Sequence, residues 1–488
     1  MKKTKNKKDI IFFSSPIQLD ARLADNLIVL GQPCGEIPNG ILHIASYLDS
    51  FGIRSIVVPI DAFLYKKQFV DISHLIESVV SIFRKQILYY DPDILAFEMM
   101  YTFNSDTVLD VIKKIKEMFP QKLIIIGGNH ATFCSGDILN PSKNNGVDIV
   151  IRGEGEFTTK EIVEAYLNKT LDKAKIQGIS YLHDGSIIHN TERLRGDLKH
   201  LPQLNYNLIL LPDDVNIIMF NHSVMFTRAC KGNCTFCTSP SMWNRQITSK
   251  TSEKFKSDLL YLVSNGVFHI SVWDDDIFVT DESFNQVVAV LLSIKLLYPN
   301  VNFYVQSRVS HFRNSNKKIH NQLDLLKKAG VIRIHLGVES GSQIILDAMN
   351  KNYKAEWIFD ACSAIKEHDI EVGVFIIIGH PGSSAIEEQV SYDLIQKLFI
   401  NSLIDDMQCH ILSPLPGSAV ASDARLKIAS ENVNNYGIVY NYPVYDLVDQ
   451  RGNITFSQQE IWLWLLNFLD LRQQYLGLDP RVSNKLKA

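Results

Sequence analysis

The chain has 488 residues, 46% hydrophobic and 21% charged, which suits a folded protein of two or three domains. A net charge of -4 gives no electrostatic case for nucleic acid or an anionic membrane as partner, and no nucleic-acid role is expected. Seven cysteines, an odd number with three clustered, argue against a disulfide framework and for a reducing, cytoplasmic setting.

The chain opens on a basic run, residues 1–8, MKKTKNKK. The apolar stretch 10–13 is too short for a signal h-region, so a polar tail before a first buried strand is expected. Strand-like runs at 9–14, 55–61, 94–99, 122–126 and 147–151 alternate with helical spacing at 40–50, 72–83, 106–119 and 161–168. This alternation predicts a doubly wound, parallel, Rossmann-like α/β domain over 9–170. Ligands of such sheets bind beyond the carboxyl ends of the strands. Those ends carry Ser14-Ser15-Pro16, Tyr101-Thr102, Gly127-Gly128-Asn129-His130 and Gly153-Glu154-Gly155-Glu156. Gly127 and Gly128 would let backbone approach a flat or bulky ligand; equally, they would make tight strand-to-helix turns. No GxGxxG fingerprint is present, so a dinucleotide is not supported.

Residues 171–220 are expected to form a hairpin, around His183-Asp184-Gly185, and a linker. Alternation resumes over 221–418, with strands at 223–227, 269–273, 302–306, 332–336, 371–378 and 406–412. Six strand-helix units predict a partial (β/α)6 barrel with its chemistry at the carboxyl ends. Residues 419–488 are expected to be a mainly helical cover: 436–445 is aromatic-rich, and 457–475, with Trp462, Trp464 and Phe468, is expected to be a packing helix. No run approaches the ~18 apolar residues of a membrane span.

The chemistry concentrates at Cys230-Lys-Gly-Asn-Cys234-Thr-Phe-Cys237, on the loop after the first barrel strand. Three close thiolates can hold three corners of an iron-sulfur cube. No fourth cysteine lies nearby, so one iron stays open to activate a ligand. A structural zinc site is the rival, but it wants a fourth Cys or His at short spacing, and His222 lies on the strand. Three unrelated buried cysteines are the other alternative. The remaining strand ends carry Asp274-Asp275-Asp276, Gln306-Ser307-Arg308, Gly337-Val338-Glu339-Ser340-Gly341, Gly379-His380-Pro381-Gly382 and Ser413 to Ser418. Singly, each is explained as a cap, a turn or a surface residue; five in register with the cysteine loop suggest a site.

The CxxxCxxC loop, with Phe236 before its third cysteine, resembles that of the radical S-adenosylmethionine (SAM) enzymes. There the open iron of a 4Fe-4S cluster chelates the amino and carboxylate groups of SAM. The segment 337–351, GVESGSQIILDAMNK, is similar to one common in the cobalamin-associated group of that family. Residues 10–200 resemble its cobalamin-binding domain, through Ile37-Pro38-Asn39-Gly40-Ile41, Gly127 to Thr132 and Arg152 to Glu156. The resemblance implies that Asp274 and Asp275 border the SAM amino group, that Glu339 and Ser340 lie near its ribose and methionine parts, and that Gly379 and Pro381 lie by the adenine. Arg308 suits the SAM carboxylate, since Arg pairs carboxylates bidentately. Gly127, Gly128, Asn129, His130, Gly153 and Glu154 are the implied cobalamin contacts. The DxHxxG motif that supplies a histidine to cobalt is absent, and His130 lies in a GGxH context instead.

The implied activity is reductive cleavage of SAM to a 5′-deoxyadenosyl radical. Cobalamin-dependent methylation of a carbon or phosphorus of a small molecule or peptide follows, with a donor such as flavodoxin or ferredoxin supplying electrons. A cyclisation, rearrangement or oxidation without methyl transfer stays open, as does a non-catalytic iron-sulfur carrier or redox sensor. No acid-base pair for polar chemistry is evident in the sequence.

Overall fold

The computed structural model describes residues 6–15, 34–65, 67, 69–312, 317–428 and 443–477. Residues 1–5 of the basic run, Pro16 and residues 436–442 of the aromatic-rich stretch lie outside them. The chain forms two compact units, Met1–Asn221 and His222–Ala488.

In the first unit β1 (Ile10–Phe13), β2 (Ser55–Val58), β3 (Ile94–Glu98), β4 (Leu123–Gly127) and β5 (Ile149–Ile151) pair in parallel in the order β2-β1-β3-β4-β5. Every residue of β1, β2 and β3 is buried, as a parallel sheet covered on both faces demands. Phe13 packs on Phe83 of the helix Ile72–Tyr90, with ring centres 4.1 Å apart, and on Phe97 of β3, at 5.2 Å. The order reverses between β1 and β3, which is the switch point where such sheets bind ligands.

The expected linker hairpin is instead part of this sheet. β6 (Ile179–His183) pairs antiparallel with β5 and β7 (Ser186–His189) with β6, giving seven strands. A turn signal reports the hairpin alone; the free backbone edge of β5 captures it, and that edge is a long-range property.

In the second unit β8 (Ser223–Val224), β11 (His269–Val272), β12 (Asn302–Ser307), β13 (Val331–Glu339), β14 (Glu371–Ile378) and β15 (Asp406–Ile411) form one parallel sheet, order β15-β14-β13-β12-β11-β8. The expected first strand is broken: β9 (Thr227–Arg228) leaves the main sheet to pair antiparallel with β10 (Thr248–Ser249). Helices including Ser252–Ser264, Asp281–Leu297, Lys317–Lys328 and Ala385–Ile400 follow the strands.

The C-terminal stretch holds more than helix. β16 (Leu426–Ile428), β17 (Tyr445–Val448) and β18 (Ile454–Phe456) form an antiparallel sheet, too short and irregular to show a period-2 pattern. The helix Gln458–Leu476 begins with a Ser457–Glu460 capping box. It packs on the barrel, where Arg472 pairs with Asp406 at 3.2 Å and donates to Met407 O at 3.0 Å. Among the described residues no helix is long and apolar enough to cross a membrane.

Candidate active site

The cysteine loop is aimed by Asp274. This carboxylate, 2% exposed at the end of β11, accepts from Phe226 N at 2.7 Å, Thr227 N at 3.0 Å and Thr227 Oγ1 at 2.6 Å. It takes amides that a continuing β8 would have given to the sheet, so the strand breaks there. Burial outweighs these bonds and raises the carboxyl to about 6. The chain then turns through Ala229 at φ +86°, a left-handed conformation costing a residue with a Cβ about 1–2 kcal/mol.

Residues from several strand ends pin the loop. Thr235 N donates to Met349 O at 3.1 Å, Asn350 Nδ2 to Asn233 O at 2.9 Å, and Val420 N to Thr235 O at 3.0 Å. Thr235 Oγ1 lies 3.0 Å from His380 Nε2. Burial lowers His380 to about 4, so its ring is neutral at pH 7 and serves as a hydrogen-bonding bridge.

Cys230, Cys234 and Cys237 are free and half-buried. Backbone amides point at two of the sulfurs: Gly232 N lies 3.2 Å from Cys230 Sγ and Ser239 N 3.4 Å from Cys237 Sγ. Burial raises the Cys230 thiol and pushes Cys237 up to about 12. These thiols need a metal to ionise them at neutral pH, and binding one would release their protons. A cube spreads its thiolates over different irons, so three cysteines spaced along one loop suit it, and the donor set fits the cluster.

Arg308 follows β12 and lies against this loop. A Cβ built on Gly232 would meet Arg308 Nη1 at 2.8 Å and Cys230 Sγ at 3.4 Å, so a side chain there would displace the guanidinium. Arg308 Nη2 donates to Lys351 O at 3.1 Å, but its Nε is buried without a partner. A buried unsatisfied donor is costly, and one on a guanidinium beside the cluster loop fits an anionic ligand group such as the SAM carboxylate.

Glu339 ends β13 after a register shift, buried, at φ +64°. Its Oε1 accepts from Lys351 Nζ at 3.0 Å. Lys351, 4% exposed, stands 5.7 Å from the ring centre of Phe236 and 5.9 Å from that of Tyr353. The structure thus brings the cysteines, Phe236, Arg308 and Glu339 together around Lys351, a residue that sequence reasoning passed over although it closes the quoted segment 337–351.

Three expected ligand contacts have other employment. Asp274 holds the strand, as above. Ser340 Oγ bonds Ser391 Oγ at 3.0 Å and accepts from Ser342 N at 3.1 Å, so it builds a turn against the helix Ala385–Ile400. Gly379, at φ +78°, donates to Glu388 Oε1 at 3.0 Å and accepts from Tyr445 Oη at 2.8 Å. Pro381 is buried beside it, its O 3.1 Å from His380 Nδ1. Asp275 is exposed and accepts from Ser239 Oγ at 2.8 Å, just past Cys237. A pairing the sequence concealed lies between Asp276 Oδ2 and His311 Nε2, 2.7 Å apart.

In the first unit the expected cobalamin residues line the carboxyl ends of β4 and β5. Gly128, at φ +121°, is required by the fold: a Cβ there would strike Met99 O at 2.6 Å. Gly127 is under no such pressure, its Cβ meeting only Ile151 at 3.7 Å. Asn129 starts the short helix Asn129–Phe133. His130 Nδ1 lies 3.0 Å from Thr102 Oγ1, and burial lowers its ring to about 4. Glu154 is committed to Gly196 N, at 2.8 Å, and Arg195, at 3.3 Å. Gly153, at φ +76°, faces open space, with nothing within 4 Å of a Cβ. Gly153, open at this edge, leaves room for a bulky ligand, whereas a Cβ on Gly127 would face Ile151 of β5. Sequence reasoning also missed Glu98, buried at the end of β3 and raised to about 7 by burial.

A parallel partial barrel with three close cysteines on the loop after its first strand, and a guanidinium laid against that loop, defines an iron-sulfur protein of the radical SAM class. Residues 224–395 match the model of the radical SAM superfamily, and residues 36–163 that of the B12 binding domain. The chain is 28% identical over 411 residues to an uncharacterized methyltransferase of Pyrococcus horikoshii, covering 82% of each. It is similar in fold to the radical SAM methyltransferase TsrM of Kitasatospora setae, solved with cobalamin and a 4Fe-4S cluster bound: TM-score 0.67, 13% identity, 98% of this chain and 92% of that one. It is also similar to the cobalamin-dependent SAM radical enzyme OxsB, at TM-score 0.63 and 15% identity, covering 80% of this chain and 52% of that one. The chain thus carries a B12-binding domain followed by a radical SAM domain, the arrangement of cobalamin-binding radical SAM enzymes. It is accordingly an enzyme, with SAM, a 4Fe-4S cluster and cobalamin as its cofactors.

Proposed function

We propose that this enzyme cleaves SAM reductively and methylates an unactivated carbon, or a phosphorus, of a small molecule or peptide. When bound, the cluster and SAM supply the radical and cobalamin the methyl group. Cys230, Cys234 and Cys237 hold three corners of the cluster. Arg308 pairs the SAM carboxylate, Glu339 and Phe236 bound its remainder, and Asp275 borders its amino group. The Thr235–His380 bridge seats Gly379 and Pro381 beside the same loop. Residues 9–170 bind cobalamin, with Gly153 as the contact best left free for it; 171–220 complete that unit, 221–418 hold cluster and SAM, and 419–488 cover the barrel. A flavodoxin or ferredoxin of the reducing cytoplasm supplies electrons.

The observation that carries this reading is the meeting of the three-cysteine loop with Arg308, whose Nε is buried and unsatisfied. The methyltransferase names of the Pyrococcus relative and of TsrM support methyl transfer as the outcome. Anaerobic reconstitution with iron, sulfide and hydroxocobalamin tests it. The expected product absorbs broadly near ~400 nm and shows corrin bands, and it releases 5′-deoxyadenosine from SAM once reduced. The band disappears in a Cys230→Ala, Cys234→Ala, Cys237→Ala variant; its persistence there refutes the cluster site. A cluster without bound corrin refutes methyl transfer from cobalamin and favours cyclisation, rearrangement or oxidation.

A further inference from the structure

The segment after the helix Gln343–Ala348 meets the cysteine loop at three successive residues. Met349 O accepts from Thr235 N at 3.1 Å, Asn350 Nδ2 donates to Asn233 O at 2.9 Å, and Lys351 Nζ stands 5.7 Å from the Phe236 ring centre. Lys351 reaches two more strand ends. Its carbonyl accepts from Arg308 Nη2 at 3.1 Å, beyond β12, and its ammonium donates to Glu339 Oε1 at 3.0 Å, at the end of β13. One buried residue therefore ties the cysteine loop, the guanidinium and the carboxylate together.

Burying an ammonium is expensive unless it is paired. Here the Glu339 carboxylate and the faces of Phe236 and Tyr353 offset the cost. Glu339 itself is held at φ +64°, a conformation that persists only where the surroundings over-determine it. Gly337 keeps the space open: a Cβ there would meet Glu339 Oε1 at 2.7 Å and Lys351 Nζ at 3.0 Å. Lys351 engages only one carboxylate oxygen, and Oε2 of Glu339 has no donor among the described residues. A carboxylate strained into place with one oxygen spare is arranged for hydroxyl or ammonium donors of a ligand.

We propose that Lys351 is the positioning residue of the SAM site: it fixes Glu339 with Oε2 free for the donors of SAM and sets Arg308 through its own carbonyl. This rests on the function proposed above. Lys351 acts through Glu339 and touches no reacting atom.

The test is a double-mutant cycle on the reconstituted full chain, with SAM itself as the probe. It is read by anaerobic equilibrium dialysis and by the change SAM causes in the electron paramagnetic resonance of the reduced cluster. Lys351→Met is expected to retain cluster iron, weaken SAM binding at least about tenfold and lose the spectral change. In a Glu339→Gln background the same substitution is expected to cost less than about twofold further, because the partner through which Lys351 acts is already neutral. Replacing both members removes the uncompensated buried charge, so comparing Glu339→Gln with the double variant decides the matter even where Lys351→Met alone fails to fold. SAM affinity within about twofold of wild type in Lys351→Met, or a full additional loss in the Glu339→Gln background, overturns the proposal. A clustered wild-type enzyme that binds no SAM overturns the proposed function instead.

Discussion

Asp274 grips Thr227 twice, at its amide (3.0 Å) and at its hydroxyl (2.6 Å), three residues before Cys230. A residue whose family resemblance implied ligand contact thus works through the backbone of the loop. Asp274→Ala leaves the buried donors of Phe226 and Thr227 unpaired, at a cost of about 1–3 kcal/mol. The expected outcome is a lowered denaturation midpoint together with reduced iron incorporation per chain. Normal iron content at lowered stability would show that the loop finds its geometry without Asp274.

Glu98 gives a pH signature with a definite sign. Its folded carboxyl is raised to about 7, chiefly by burial, with Asp61 and Glu36 adding repulsion. The folded state therefore binds this proton more tightly than the unfolded chain, and stability falls as pH rises from the ordinary Glu value of about 4.3 to about 7. Glu98→Gln removes that dependence. The stability of wild type relative to the variant should decline by about 3–4 kcal/mol across this window and stay flat above it, as followed by urea unfolding at stepped pH. A pH-independent difference would mean that Glu98 is solvated.

What was legible in the sequence was whatever local pattern decides. The five strands of the first unit announce themselves because parallel strands buried on both faces are continuous apolar runs, as in Ile10 to Phe13 and Leu123 to Ile126. The three cysteines announce themselves through spacing. What stayed hidden depends on partners distant in sequence. The β6–β7 hairpin is legible, but its capture by β5 is not. Lys351 looks like any helix-following lysine until Glu339 and Phe236 are folded against it. Asp276 and His311 are 35 residues apart and meet only because β11 and β12 are neighbours. For Ser340 and Asp274 resemblance marks the site, and only the fold shows the Ser391 and Thr227 contacts that each side chain also makes.

Gly127 and Gly128 separate fold from function within one dipeptide. Gly128→Ala places a Cβ 2.6 Å from Met99 O at φ +121°, so a loss of at least about 1–3 kcal/mol is expected, whatever ligand is present. Gly127→Ala meets only ordinary contact and should hold stability within about 0.5 kcal/mol. If Gly127 lies against cobalamin, its methyl group lowers corrin retained per chain after gel filtration, with the melting temperature of the corrin-free protein unchanged. Full corrin retention by Gly127→Ala would remove Gly127 from the cobalamin site.

Arg308 predicts opposite effects in the free and ligand-bound enzyme. Its buried, unsatisfied Nε is a standing cost of about 1–3 kcal/mol. Arg308→Met forfeits the bond to Lys351 O, worth about 1 kcal/mol, but also removes the orphaned donor. Without SAM the variant should therefore be as stable as wild type or slightly more so. With SAM present the order should invert. At about 100 Kd of ligand the wild type gains about 2.7 kcal/mol, and the variant gains little because the carboxylate has lost its charged partner. Anaerobic thermal melts of the reconstituted enzyme with and without SAM would display the crossing. A variant that loses stability without SAM yet keeps the full ligand-induced shift would place Arg308 in the frame of the barrel, and the SAM carboxylate elsewhere.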